Sequence, residues 1–204
     1  ETGWREHVPE PVDPSLTTVF DSKKGRPLWE LFTSECSHLG TLDVLCELFK
    51  GTLQRVLDSR DVRTSWSNKC NINIDKLFGN IDALRQISLQ FALELEDKLV
   101  PGRRGATEAV ESGDINLSPI LAAVGELKRR LLTPEMGYRL QHKDALEEVK
   151  ALQTRSRGCF DAFLEWCEQD PRCTKRRFKF HELLSEPLQR ITRYTLPLRE
   201  VVKG

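Results

Sequence analysis

Apolar residues recur in alternating fours and threes from Leu28 to about Leu57. The line runs Leu28, Phe32, Glu35, Leu39, Leu42, Cys46, Phe49, Leu53 and Val56, with one carboxylate among the apolar groups. That spacing is the buried seam of a helical bundle or coiled coil. It predicts a single helix ~45 Å long at 1.5 Å per residue. Gly40 and Gly51 fall inside it and weaken it by ~1 kcal/mol each relative to alanine where exposed. A second helix is predicted from Ile74 to Leu99, burying Leu77, Phe78, Ile81, Leu84, Ile87, Phe91 and Leu95, and ended by Pro101-Gly102. Residues 101–118 are polar, contain glycine and lack any period, so they read as a loop. A third helix is predicted from Pro119 to Leu132, a fourth from Lys143 to Thr154 and a fifth from Arg157 to Gln169. The last run, KFHELLSEPLQRITRYTLPLREVV, predicts a sixth, with Phe180, Leu183, Leu184, Leu188, Ile191, Tyr194, Leu198, Val201 and Val202 on its buried stripe. No segment alternates as a strand would. Residues 1–25 carry Pro9, Pro11 and Pro14 with little periodicity and read as an extended arm, with Val19 and Phe20 packed on the domain. The expected fold is all-α, an elongated helical bundle over 26–204, without internal repeats.

Polar groups that break or complement these stripes carry the next layer. Glu35 sits on the first seam. A buried carboxylate must be paired or hydrogen-bonded, so Glu35 is expected to hold two helices in register. Glu30 projects away from that seam and is expected at the surface. On the last helix, at about 100° per residue, Gln189 and Arg193 lie almost opposite the apolar stripe. Glu186, Leu196 and Glu200 share that outer face. An exposed leucine among charged groups suits a partner surface, although isolated exposed apolar residues are also ordinary.

Composition narrows the function classes. Hydrophobic residues make up 39% and charged residues 30% of the 204, ordinary for a globular domain with a sizeable core. Formal net charge is zero, so the whole chain advertises neither nucleic acid nor a membrane surface. Lys175, Arg176, Arg177 and Lys179 form a local basic cluster before the last helix, read as a solvated turn. Cys36, Cys46, Cys70, Cys159, Cys167 and Cys173 form no C-x-x-C pair, and the four histidines are scattered, so no metal site is expected. Cysteines at apolar helical positions behave as small hydrophobes and suit a reducing, cytoplasmic setting. There is no bilayer-length apolar run and no signal peptide. Asn116-Leu117-Ser118 matches a glycosylation sequon by chance. A glycine-rich phosphate loop, a catalytic triad motif and a metal-binding set are all missing, so no bond-making enzyme and no cofactor are expected.

Three motifs in order point to a family. The ten residues Pro187 to Leu196, PLQRITRYTL, place a proline, one residue, Gln-Arg, two residues, then a basic residue and tyrosine. This resembles the third conserved region of the Dbl homology domain, the exchange-factor module for Rho-family GTPases. LWELFTSECSHLGTLDVL resembles the first conserved region, and LFGNIDALRQISLQFALELE the second, with its Leu-Phe-x-Asn-Ile opening. CFDAFLEWCEQDPRC is similar to the linking region before the final motif. LWELF and CFDAFLEW are most similar to exchange factors of the pleckstrin-homology family G. The resemblance covers most of residues 26–202.

Several expectations follow from that resemblance. Such domains grip both switch segments of a small GTPase and favour its nucleotide-free form, so the magnesium site is spoiled and nucleotide leaves. Position by position, Glu30 matches the switch I glutamate, Arg193 the basic switch II residue and Gln189 its neighbour. Thr192 and Leu196 are candidate specificity contacts. Arg190 and Tyr194 are expected to serve the fold. The implied partner is a Rho-family small GTPase of Rho, Rac or Cdc type, with no nucleic acid, and with the membrane reached only indirectly through a pleckstrin homology domain absent from this chain. The pattern departs from the family at Glu186 (usually lysine), at Thr195 (usually proline, with Pro197 two places on), at Ser34 (usually threonine) and at His38 (usually aromatic). The family's last long helix, with a further asparagine contact, would lie past Gly204. These departures keep a second reading open, a Dbl-like binding or scaffolding module without exchange activity.

Overall fold

The computed structural model describes residues 25–59, 70–99 and 117–203. Side chains at 191–193, 195–198 and 200–203 fall outside that description, as do the expected arm and most of the expected loop. All regular structure among the described residues is helical: α1 (Gly25–Asp43), a π-helical segment (Val44–Lys50), α2 (Gly51–Asp58), α3 (Ile74–Phe78), α4 (Ile81–Leu99), α5 (Ser118–Arg155), α6 (Cys159–Glu168), α7 (Pro171–Thr174) and α8 (Phe180–Lys203). The chain divides into two compact units. The first takes Glu1–Gly40, Arg85–Leu132 and Gln189–Gly204, the second Thr41–Leu84 and Thr133–Leu188.

In the first unit, Leu28, Leu31, Phe32 and Cys36 of α1 pack with Phe91, Leu95 and Leu99 of α4, Ile120, Ala123 and Leu127 of α5, and Tyr194 of α8. Phe91 meets Tyr194 edge-on, ring centres 6.0 Å apart at 87°. Such pairs add about 0.5–1.5 kcal/mol beyond the area they bury. In the second unit, Phe180 is the hub. Its ring lies 4.9 Å from Phe49, 5.8 Å from Phe78 and 6.5 Å from Phe160.

The predicted Leu28–Leu57 helix changes its winding midway. Through Val44–Lys50 it is π-helical, and the Gly51 N–H reaches back five residues to the Cys46 carbonyl. Val44, Leu45 and Leu48, off the predicted stripe, are buried there beside Cys46 and Phe49, whereas Val56 on the stripe is half-buried. A change of winding re-aims every later side chain, which a fixed spacing cannot show. The predicted Ile74–Leu99 helix is likewise two. It breaks at Gly79, whose φ of +53° and ψ of −139° suit only glycine. A Cβ there would fall 2.6 Å from Gln141 Oε1.

The predicted third and fourth helices are one 38-residue helix, α5, which continues past Pro134 and Gly137. Both residues count as breakers by local propensity. Tertiary bonds override them. Asn80 Nδ2 donates to the Pro134 carbonyl at 2.7 Å, and the buried Tyr138 hydroxyl donates to the Leu184 carbonyl at 2.8 Å. The fifth helix is close to expectation at Cys159–Glu168, and the short α7, absent from the sequence reading, is capped by the Asp170 carboxylate on the Arg172 N–H. The helix α8 continues through both Pro187 and Pro197 to Lys203, so Pro197 does not end the motif helix.

All six cysteines are free, and only Cys159 is exposed. Burial, reinforced by nearby carboxylates, pushes the Cys36 and Cys167 thiols up to about 12. At pH 8 roughly one in ten thousand of these groups is thiolate. Brief alkylation of the native protein should therefore label Cys159 alone, and all six after denaturation; peptide mass mapping checks this. A second measurement concerns Glu148, which accepts from Lys76 Nζ at 2.9 Å and from Arg155. Burial alone would push its carboxyl up, but the two cations outweigh it and hold it below the usual range. A depressed folded value stabilises above the unfolded pKa of ~4.3 and loses that contribution as pH falls through the folded value. Glu148→Gln should thus flatten the acid limb of the stability curve below about pH 4.5, read by urea melts.

Candidate functional site

The first unit contains a buried polar clamp. Glu35, fully buried on the inner face of α1, accepts from Arg190 Nε at 3.2 Å, Arg190 Nη2 at 2.7 Å and the Tyr194 hydroxyl at 2.7 Å, and from the Ser88 hydroxyl of α4. Arg190 also donates to Ser34 and lies over the Tyr194 ring, 4.5 Å from its centre. The expected pairing of Glu35 is present, and the expected fold roles of Arg190 and Tyr194 agree with their 4% and 8% exposure. Burial opposes the charge on Arg190, but Glu35 more than offsets it and raises its pKa above the usual arginine value. Burial first, then Glu35, drives the Tyr194 hydroxyl well above 10, so it remains a donor. Both oxygens of the carboxylate thereby meet donors, three at Oε2 and one at Oε1, which is what a buried charge needs.

The clamp fixes what faces outward on the same two helices. On α1, Leu28, Leu31 and Phe32 face the core, and Glu30 is exposed. The Thr33 hydroxyl donates to the Trp29 carbonyl at 3.0 Å, staying within the helix. On α8, Gln189 is exposed while its neighbour Arg190 is buried. At about 100° per residue, positions 189, 192, 193 and 196 fall within one strip of about 100° on the helix, and positions 190 and 194 fall on the far side from its centre. Gln189, Thr192, Arg193 and Leu196 thus share one register, and Glu30 occupies the outer side of the helix that the clamp ties to it. The clamp partners Ser88 and Arg190 carried only a weak signal in the sequence. Arg190 stands seven residues after Leu183 and four before Tyr194, on the edge of the apolar stripe. Ser34, in place of the family's threonine, still supplies a hydroxyl to Arg190. His38, in place of the usual aromatic, is 6% exposed and keeps the position buried. No cluster of metal ligands occurs among the described residues.

Residues 28–204 match the RhoGEF domain model. The chain belongs to the RhoGEF domain family. The human pleckstrin homology domain-containing family G member 7 is 34% identical over 189 residues, spanning 92% of this chain and 25% of that protein. The chain thus corresponds to about a quarter of that relative. Among solved structures, that of the Vav1 exchange factor superposes with a TM-score of 0.66 at 27% identity, over 89% of this chain and 41% of that one. The complex of the PDZ-RhoGEF DH/PH domains with activated RhoA superposes with a TM-score of 0.60 at 22% identity, over 98% and 50%. The RhoGEF domain is an exchange-factor module of all-α fold, and the all-helical structure here matches it.

Proposed function

We propose that this chain catalyses nucleotide exchange on a Rho-family GTPase by preferring its nucleotide-free form. Glu30 contacts switch I. Gln189 and Arg193 engage switch II, and Thr192 and Leu196 help select the partner. The observation that carries the reading is the clamp: it ties the helix of Glu30 to the helix of the PLQRITRYTL strip and leaves Glu30 and Gln189 exposed. A carboxylate can accept from hydroxyl and backbone donors of a remodelled loop, and an arginine fork can clamp carbonyls or carboxylates. Binding two states equally would shift nothing, so exchange requires the surface to fit the nucleotide-free conformation better. PDZ-RhoGEF, which shares the fold, forms a complex with RhoA.

A second reading is a binding module that holds a GTPase without exchange. Glu186, half-buried where the family places lysine, favours it by reversing charge beside the strip. Pro197 lends it no support, since α8 continues past it. Release of a fluorescent guanine nucleotide from Rho-, Rac- and Cdc-type GTPases decides between them. Faster release from at least one type supports exchange. A stable complex without acceleration supports the scaffold.

A further inference from the structure

The turn between α7 and α8 carries four cations in five residues, Lys175, Arg176, Arg177 and Lys179, all exposed. The sequence alone reads this as a solvated turn. The structure adds three things. First, the turn is built rather than loose. The buried Cys173 carbonyl accepts from both the Arg176 N–H at 3.2 Å and the Phe178 N–H at 3.0 Å, and the Arg176 guanidinium covers the Phe178 ring at 5.7 Å. Arg177 takes a φ of +54°, a left-handed conformation that costs a non-glycine residue of order 1 kcal/mol. Second, two of the nearby carboxylates are committed to Lys179, Arg172 and the backbone. Glu168 accepts from Lys179 Nζ and from the Phe180 N–H at 3.1 Å, and Asp170 from Arg172 Nε at 2.9 Å and the Arg172 N–H at 2.8 Å. No described carboxylate pairs with Lys175 or Arg177. Third, Glu168 pins the turn to the last turn of α6.

We propose that this turn is a docking point for a phosphate-bearing anionic lipid surface, with Lys175, Arg176 and Arg177 against the headgroups. Cations near an anionic leaflet are attracted individually and additively. A single-stranded nucleic acid would want an aromatic platform for base stacking, and Phe178, the aromatic within the turn, is covered by Arg176. The contact would bring a chain of zero net charge to a membrane through one local patch.

Vesicle co-sedimentation of the whole chain tests this, using phosphatidylcholine with and without about a third phosphatidylserine. Binding is expected only with the anionic lipid and should fall steeply with salt. Lys175→Ala, Arg176→Ala and Arg177→Gly together, the glycine keeping the left-handed backbone, should weaken partitioning by about a hundredfold. The thermal melt should not drop. Vesicle binding unchanged in the triple variant would overturn the proposal. So would retention of inositol hexakisphosphate, an acidic peptide or an oligonucleotide without vesicle binding.

Discussion

Arg190→Ala will strongly destabilise the protein. The substitution strands the Glu35 carboxylate, which has no exposed surface, with two hydroxyl donors and no counter-charge. Breaking a buried ion pair from one side costs about 3–5 kcal/mol, against a total stability of about 5–15 kcal/mol for a domain. Glu35→Ala should cost about as much, because it strands a guanidinium that is 4% exposed. The double change Glu35→Leu with Arg190→Met removes both charges and keeps volume, so it should recover most of the loss, since apolar replacement of buried pairs is often close to neutral. Denaturant melts of the two singles and the double form a cycle whose coupling term reads the pair directly. Singles that melt like the parent would show that the clamp does not hold α1 to α8.

Glu30→Ala will do the opposite, slowing exchange about thirtyfold while leaving the fold intact. Glu30 is exposed and outside the clamp, so its removal should change stability by no more than about 0.5 kcal/mol. Interface residues that dominate binding cost ~2 kcal/mol or more on truncation, about thirtyfold. In a surface that works by differential affinity, that loss falls on the exchange rate. Arg193→Ala should behave alike, and Arg193→Lys should recover part of the rate, because a lysine keeps the charge but not the two-pronged geometry. Stopped-flow release and a thermal melt on the same samples separate the effects. A melting drop of more than a few degrees would recast either residue as structural.

These contrasts show what the chain discloses by pattern and what it withholds. Glu35 announced itself, because a carboxylate on an apolar seam demands partners. Arg190 could be found as one of those partners by its place seven residues from Leu183, but Ser88 could not, since nothing local distinguishes it from any helical serine. Pattern placed the motif helix and the Cys159–Glu168 helix well. It failed where distant contacts set the backbone. Asn80 and Leu184 tie α5 to its neighbours at Pro134 and Tyr138, and burial of five of the seven residues goes with the rewinding of Val44–Lys50. The break at Gly79 was visible as a glycine, but a glycine inside an amphipathic run does not show whether its backbone turns left-handed. The proposed strip of Gln189, Thr192, Arg193 and Leu196 rests on helical register together with the family motif, and register alone would leave it a solvated face.

The most direct test of the proposed function compares affinities. The dissociation constant of this chain for a Rho-type GTPase would be measured with the GTPase nucleotide-free and again loaded with GDP and magnesium, for the parent and for Glu30→Ala. Exchange by state preference predicts binding at least ~100-fold tighter to the nucleotide-free form, with most of that ratio lost in Glu30→Ala. Equal affinity for the two forms across Rho, Rac and Cdc types, or a ratio untouched by Glu30→Ala, would contradict it.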